Sequence, residues 1–229
     1  MALRNVGCVH GVPFSFASMC VPAIGRACLD LRQGGAGTKG GEHRLDFVTV
    51  VTRSPAMSAV RDNAEPLAIV FEDDGLVPNN ILPFLVYQDA VKLDPARPEE
   101  TIEDLFAANG WGGTWRNGVY DYLHYHATVH EVLGVARGSA RVRFGGDHGQ
   151  ELEIKAGDVA ILPAGTGHQC IRASDDFCVI GAYPPGSKME ITRATPENHA
   201  KALKTIPDVA TPPSDPVTGK DGALMRLWR

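Results

Sequence analysis

The sequence predicts an all-β domain, a sandwich or barrel, and two observations carry that prediction. Short runs of branched and aromatic residues recur at close intervals from Leu67 onwards, separated by glycine, proline or acidic turns. Hydrophobic residues make up 44% and charged residues 21% of the 229 residues, which is typical of a globular chain with a packed core. Several short strands around one core are the pattern of a β-sandwich or barrel.

The predicted strands are accompanied by one or two short helices, one of which the sequence places. Residues 98–110 place apolar residues at helical spacing, with acidic residues in the first turn and Gly110 just past the end. The predicted strand segments are 67–73, 83–91, 119–138, 140–146, 151–165, 169–173 and 176–186. The proline-rich tail 205–229 ends in LMRLW, which predicts a strap docked on the domain.

Residues 1–56 differ from the rest of the chain. They hold eight glycines and six basic against three acidic residues, whereas the remainder carries an excess of acidic residues. We expect a poorly ordered extension, followed by a single domain over residues 57–229. An organelle transit peptide and a translation start at Met57 are the alternatives. The cytoplasm is the default location.

Charge and hydropathy exclude two classes of partner. The net charge is -5, so there is no basic field of the kind that binds nucleic acid. No run approaches the roughly 18 consecutive apolar residues that a membrane span needs. The expected partner is a small-molecule substrate.

Five cysteines without a CxxC pair do not describe a disulfide scaffold. We expect free buried thiols, with a bridge between Cys170 and Cys178 as the alternative.

Four of the eight histidines, His124, His126, His130 and His168, lie close together in the sequence. His124 and His126 are two residues apart in a predicted strand, and residues i and i+2 of a strand project to the same face. Two imidazoles on one face, with a carboxylate and a further histidine nearby, indicate a metal or catalytic site.

Two glycine-framed patterns around these histidines resemble the two motifs of the cupin superfamily. The first is matched by Gly118, His124, Tyr125, His126, Glu131 and Gly138. The second is matched by Gly157, Pro163, Ala164, Gly165 and His168. The resemblance implies a jelly-roll β-barrel and, residue by residue, a metal site of His124, His126, Glu131 and His168.

A closer resemblance covers about residues 66–229. The run from Asn109 to Ala140, with FEDDGLVPNN before it and GAYPPG after it, looks like a group of single-domain cupins of unassigned function. It implies a fold and a metal site but no substrate.

Strict strand alternation conflicts with the assignment of Glu131 as a metal ligand. It places His126 and His130 on one face and Glu131 on the other, so Glu131 reaches the metal only if a bulge or irregular turn intervenes. His130 is therefore a rival ligand, and we favour Glu131 because the family spacing includes this gap.

Three imidazoles and one carboxylate suit an ion with five or six coordination positions, leaving one or two for water, dioxygen or substrate. Fe(II) is favoured, and Mn(II), Ni(II) and Zn(II) are alternatives.

Five further residues are candidates for a role beside the metal. Tyr120 and Tyr122 precede His124 by even numbers of residues, so in a strand all three side chains project to the same face. Aromatic residues in such a stretch nevertheless usually fill the core. A hydroxyl such as that of Tyr122 can donate a hydrogen bond or a proton. Arg172 occupies the position where cupins usually have asparagine. Its side chain either binds an anion at the mouth of the barrel or is a charge on the surface. Arg141 and Arg143 face either the cavity or solvent, and solvent is favoured.

These features favour a metal-dependent oxidoreductase, resembling the non-haem iron dioxygenases, that acts on a small organic molecule. A metal-dependent isomerase, lyase or decarboxylase is the first alternative, and a non-enzymatic ligand-binding protein is the second. Because small jelly rolls expose sheet edges, we also expect a homodimer.

Overall fold

A computed structural model describes residues 58–229 of the chain. The expectations for residues 1–56, which include three of the five cysteines, lie outside the described residues.

Two antiparallel sheets form the described domain. The six-stranded sheet contains, in spatial order, β1 (Leu67–Ile69), β2 (Phe84–Tyr87), β8 (Val159–Leu162), β5 (Glu131–Arg137), β10 (Cys178–Tyr183) and β3 (Gly112–Asn117). The five-stranded sheet contains β11 (Thr192–Arg193), β4 (His124–Tyr125), β9 (His168–Ala173), β6 (Ser139–Phe144) and β7 (Gln150–Lys155). This architecture confirms the predicted all-β jelly roll.

The inner faces of the two sheets meet in one apolar core. Leu133 and Val135 of β5 pack there against Val142 and Phe144 of β6, and all four side chains are buried. Because side chains alternate along a strand, Glu131 of β5 lies on the same inner face as Leu133 and Val135. This register places a carboxylate between the sheets.

A second apolar cluster covers the outer face of the six-stranded sheet. The predicted helix lies there as α1 (Pro98–Ala108), which buries Ile102, Leu105 and Phe106. Gly134 of β5 permits this close packing, because a Cβ atom there would lie 2.6 Å from Cγ2 of Ile102. The sequence therefore predicts this helix almost to the residue.

Two further helices were not predicted. α2 (Pro196–Thr205) begins at an N-cap, where the Thr195 hydroxyl accepts a hydrogen bond from the backbone of Asn198, and a 3-10 turn (Ile206–Asp208) follows it. The short α3 (Ala223–Leu227) ends near the C-terminus. The described domain thus has three α-helices where one or two were expected.

The C-terminal segment is fastened to the outer cluster through one buried carboxylate. Asp215 accepts hydrogen bonds from the Tyr87 hydroxyl and from the backbone of Val217, Thr218 and Leu224. Beyond it, Trp228 is buried and donates from Nε1 to the carbonyl of Pro83. These contacts hold the tail against the domain.

No disulfide joins Cys170 to Cys178, so the alternative bridge between them is wrong. They lie on β9 and β10, which belong to different sheets. Among the described residues no helix has the length and apolar character needed to cross a membrane.

Candidate metal centre

A row of side chains across the five-stranded sheet forms one side of the site. His124 of β4 lies directly opposite His168 of β9, and their ring centroids are 4.1 Å apart. Directly opposite residues of an antiparallel pair project to the same face. Phe144 lies opposite His168 in turn and is buried in the inner core, so both imidazoles face the space between the sheets.

The predicted alternation around the first motif is confirmed. His124 and His126 lie near each other on the inner side, with ring centroids 5.7 Å apart. Tyr125, between them, is buried on the opposite face in a separate apolar cluster with Val77 and Ala202 of α2.

The chain leaves the five-stranded sheet after Tyr125 and enters the six-stranded sheet at Glu131. The intervening residues 126–130 belong to no strand. Strict alternation therefore stops, as the prediction of an irregular turn required, and Glu131 faces the histidines. Its Oε2 lies 3.4 Å from Nε2 of His126 and 3.4 Å from Nε2 of His168.

Backbone carbonyls hold the second nitrogen of each of these three histidines. Nδ1 of His124 lies 3.1 Å from the Tyr122 carbonyl, Nδ1 of His126 lies 2.7 Å from that of Glu190, and Nδ1 of His168 lies 3.2 Å from that of Thr166. A carbonyl only accepts hydrogen bonds, so each Nδ1 carries the proton and each Nε2 keeps its lone pair. This is the arrangement that orients metal-binding imidazoles in proteins.

Burial keeps two of the imidazoles neutral. Loss of solvation lowers the pKa of His124 to about 2 and that of His168 to about 4. Burial also opposes charge on His126 and Glu131, but their mutual attraction outweighs it. It raises the pKa of His126 and lowers the pKa of Glu131. The cluster therefore offers neutral imidazoles at His124 and His168 and an ionised carboxylate at Glu131, and a metal ion bound at Nε2 of His126 would displace any proton there.

The residues present fit a divalent metal ion. One ligand atom from each of His124, His126 and His168 lies within 4.8 Å of the others, so the three histidines can hold one ion. Oε2 of Glu131 is fully buried beside them and has no hydrogen-bond partner. An orphaned buried carboxylate oxygen is costly, and a cation between it and the imidazoles would satisfy it.

His130, the rival ligand, takes part in a different contact. Its Nδ1 accepts a hydrogen bond from the backbone of Ala164, and its ring packs at 4.8 Å against that of Trp228. The group of three histidines that can hold an ion includes neither His130 nor Glu131, but only Glu131 lies within 3.4 Å of two of its members, His126 and His168.

Two tyrosines and an arginine lie beside His124. The rings of Tyr120 and Tyr122 stack at 4.8 Å, and each centroid lies 5.3 Å from that of His124. The guanidinium carbon of Arg193 lies 3.2 Å from the centroid of the Tyr122 ring. Burial raises the pKa of the Tyr122 hydroxyl, so the phenol stays protonated at neutral pH. The structure thus places Tyr122 next to the cluster.

A hydrogen-bonded pair supports Glu131 from the six-stranded sheet. The Tyr183 hydroxyl faces the Glu131 carboxyl, whose pKa it helps to lower, and accepts a hydrogen bond of 2.7 Å from Nε1 of Trp115. The indole of Trp115 lies against Gly181, where a Cβ atom would come within 2.1 Å of the ring. Gly181 therefore lets Trp115 reach Tyr183.

Arg172 is not brought to this cluster. Alternation from His168 and Cys170 would point it inward, but Val142 pairs with Cys170 while the preceding Arg141 pairs with Arg172. Ile171 is thus an extra residue on β9, and this bulge turns Arg172 outward. There it is exposed and pairs with Glu153.

Arg141 and Arg143 also lie on the outer face, as favoured from the sequence. Arg141 pairs with Glu153, and Arg143 pairs with Glu151.

Two residues beside the site were missed from the sequence. Arg193 lies on β11, a two-residue strand whose pairing with β4 leaves almost no signal in the pattern. Tyr183 lies in the GAYPPG run, which was noted as part of the resemblance without a role for the tyrosine.

Comparison with known proteins identifies a relative of unassigned function. The chain is 39% identical over 159 residues to the uncharacterized protein YjlB of Bacillus subtilis strain 168, covering 69% of this chain and 93% of that protein. No family model matches the chain.

The solved structures to which parts of the chain are similar include two enzymes. A mutant of oxalate decarboxylase from Bacillus subtilis is 18% identical with a TM-score of 0.28, covering 48% of this chain and 22% of its own. Acireductone dioxygenase from Bacillus anthracis, with cadmium in its active centre, is 19% identical with a TM-score of 0.28. The match covers 44% of this chain and 61% of the dioxygenase chain. An uncharacterized protein with a double-stranded β-helix domain from Klebsiella pneumoniae is 15% identical with a TM-score of 0.29. The match covers 68% of this chain and 100% of that chain.

The fold assignment rests on the two sheets and on the motif residues of this chain. The chain spans about a fifth of the decarboxylase, 22% of its length. The extended identity with YjlB, together with the jelly roll and the three-histidine cluster, shows that the chain belongs to the YjlB family and is a member of the cupin superfamily.

Proposed function

We propose that the chain is a metal-dependent oxidoreductase of the dioxygenase type that acts on a small organic molecule, with Fe(II) as the favoured ion. The observation that carries the proposal is the buried group of three histidines whose ligand atoms lie within 4.8 Å of one another, with Oε2 of Glu131 3.4 Å from Nε2 of two of them, His126 and His168. His124, His126, His168 and Glu131 would hold the ion. Four protein ligands leave one or two positions for exogenous molecules.

A bound Fe(II) would supply the one-electron chemistry by which dioxygen reacts with an organic molecule. The protein residues supply the surroundings. The Tyr183 hydroxyl would keep the Glu131 carboxyl in place. The Tyr122 ring lies 5.3 Å from that of His124, and its protonated hydroxyl would donate a hydrogen bond to a substrate oxygen. Burial of the whole cluster limits the access of bulk water.

The test is oxygen consumption by anaerobically purified, Fe(II)-loaded protein offered thiols, catechols and keto acids. We expect consumption that depends on substrate and is lost in His124→Ala. His148→Ala is the matched control, because His148 is an exposed histidine in the β6–β7 turn.

Two results would overturn the proposal in different ways. Turnover that continues without oxygen, and with Zn(II) in place of iron, would indicate an isomerase, lyase or decarboxylase that uses the ion as a Lewis acid. Ligand-induced thermal stabilisation without any turnover would indicate a binding protein.

The homodimer stays part of this proposal. β1 is an edge strand of the six-stranded sheet, and Leu67 and the following Val70 are 55% and 61% exposed. Apolar side chains on an open edge favour pairing with a second copy. We expect a dimeric mass by light scattering and a monomeric mass for the double variant Leu67→Lys, Val70→Lys. A monomeric wild-type protein at micromolar concentration would contradict the dimer.

A further inference from the structure

Arg193 continues the histidine row across the five-stranded sheet. It lies directly opposite His124, which lies directly opposite His168. Cross-strand partners project to the same face, so the arginine shares the inner face with both imidazoles. Neighbouring strands are about 5 Å apart, which places a positive side chain roughly one strand spacing from the candidate metal ligands.

The guanidinium of Arg193 is held by its face. It stacks 3.2 Å above the Tyr122 ring, and Tyr122 stacks in turn on Tyr120. A guanidinium bound through its flat face keeps the N–H donors at its edge directed sideways, in the planar fork that matches a carboxylate. The tyrosines therefore orient this arginine without using its strongest donors.

The arginines elsewhere on this sheet are neutralised by carboxylates. Arg141, Arg143 and Arg172 each pair with Glu151 or Glu153. Within residues 58–229 no carboxylate forms an ion pair with Arg193, and this arginine is exposed beside Tyr122. Its charge and donors are thus placed for an anionic ligand.

We propose that Arg193, oriented by Tyr122, is the substrate-anchoring residue of the site, and that the substrate is a small organic acid whose carboxylate it binds. This inference rests on the function proposed above and names its substrate class. Since Arg193 and His124 are one strand spacing apart, the reacting atoms lie close to that carboxylate, as in a 2-oxo or 2-hydroxy acid.

The test follows a probe beside the bound ion without requiring turnover. Protein is loaded with Mn(II), and the relaxation rate of the methyl protons of pyruvate is measured during titration. Pyruvamide, which has the same shape without the charge, is the comparison ligand. We expect relaxation enhancement that saturates with pyruvate and at least tenfold weaker binding of pyruvamide.

Arg193→Gln is the decisive variant, and Arg172→Gln is the matched control on the outer face. We expect Arg193→Gln to keep its Mn(II) and thermal midpoint while losing at least tenfold in pyruvate affinity, with Arg172→Gln unchanged. Equal binding of pyruvate by wild type and Arg193→Gln, both loaded with Mn(II), would overturn the inference and leave the metal site intact. Equal binding of pyruvate and pyruvamide would also overturn it.

The metal content of the wild-type protein tests the proposed function separately from the role of Arg193. If the wild type bound no metal, the intrinsic fluorescence of the metal-free protein would be titrated with pyruvate. A change that Arg193→Gln abolishes and Arg172→Gln retains would support an anion site without a metal, and no change would overturn the inference.

Discussion

Nε2 of His126 and Oε2 of Glu131 lie 3.4 Å apart, although His126 follows a strand of one sheet and Glu131 begins a strand of the other. The irregular residues between them carry the chain across the gap between the sheets. Each sheet thereby contributes to the cluster, and the separation of the sheets sets the size of the site. The site depends on the jelly roll as a whole, since neither sheet contains all four candidate ligands.

The first prediction separates Glu131 from His130 as a ligand. Glu131→Ala removes the carboxylate that faces two imidazoles, so we expect its metal affinity to fall by roughly 100-fold or more. His130→Ala should bind metal as the wild type does, because its ring contacts Ala164 and Trp228 instead. Elemental analysis and metal titration measure both.

The control for this comparison is the folded state. Circular dichroism and the thermal midpoint must show that both variants are folded, since Glu131 and His130 are both buried. If Glu131→Ala kept its metal and folded His130→Ala lost it, the assignment would be reversed.

The second prediction concerns Tyr183 as a positioning residue. Tyr183→Phe removes the hydroxyl that faces the Glu131 carboxyl and helps to lower its pKa, and loss of such an outer partner typically costs 10- to 100-fold in metal affinity. We expect a loss of about that size, measured by competition with a chelator of known affinity.

Tyr87→Phe is the matched control, since it also removes a buried tyrosine hydroxyl. That hydroxyl bonds Asp215 under the C-terminal segment, so its loss should lower the thermal midpoint without changing metal affinity. Wild-type metal affinity in Tyr183→Phe would show that the tyrosine does not position Glu131.

The sequence predicts most of the site but not its outer part. His124 and His126 follow from strand periodicity, and Glu131 follows from the spacing of a family motif that already contains the crossing between sheets. Arg193 could not be predicted, because its two-residue strand pairs with β4 across almost 70 residues of chain. The inward position that alternation predicts for Arg172 also could not be tested from the sequence. A one-residue bulge reverses the face to which the following side chains project, and the residue pattern does not indicate it.

The third prediction tests the buried carboxylate under the C-terminal segment. Asp215→Ala leaves three backbone amides and the Tyr87 hydroxyl without their acceptor inside the core. We expect the free energy of unfolding to fall by at least about 3 kcal/mol, measured by urea denaturation. Asp221→Ala, at an exposed position in the same segment, should change it by less than about 0.5 kcal/mol. A loss below about 1 kcal/mol in Asp215→Ala would show that the tail is held by its apolar contacts alone.

The fourth prediction concerns pH and the loop before β2. The Asp74 carboxylate accepts hydrogen bonds from the backbone of Leu76, Val77 and Asp147. Partial burial opposes the charge, but these donors outweigh it and lower the pKa of Asp74 below its usual value of 3.8. A carboxyl with a lowered pKa in the folded state stabilises that state fully above its unfolded pKa, and the contribution disappears as the pH falls through the folded value.

The measurement is the free energy of unfolding of wild type and Asp74→Asn between pH 7 and pH 2. Asparagine keeps the shape but does not titrate, so we expect the wild type to be the more stable at pH 7 and the difference to shrink below about pH 4. Asp104→Asn, on the exposed side of α1, corrects for the loss of one surface charge. A difference that stays constant across this range would mean that the loop is held by its backbone geometry and not by the charge of Asp74.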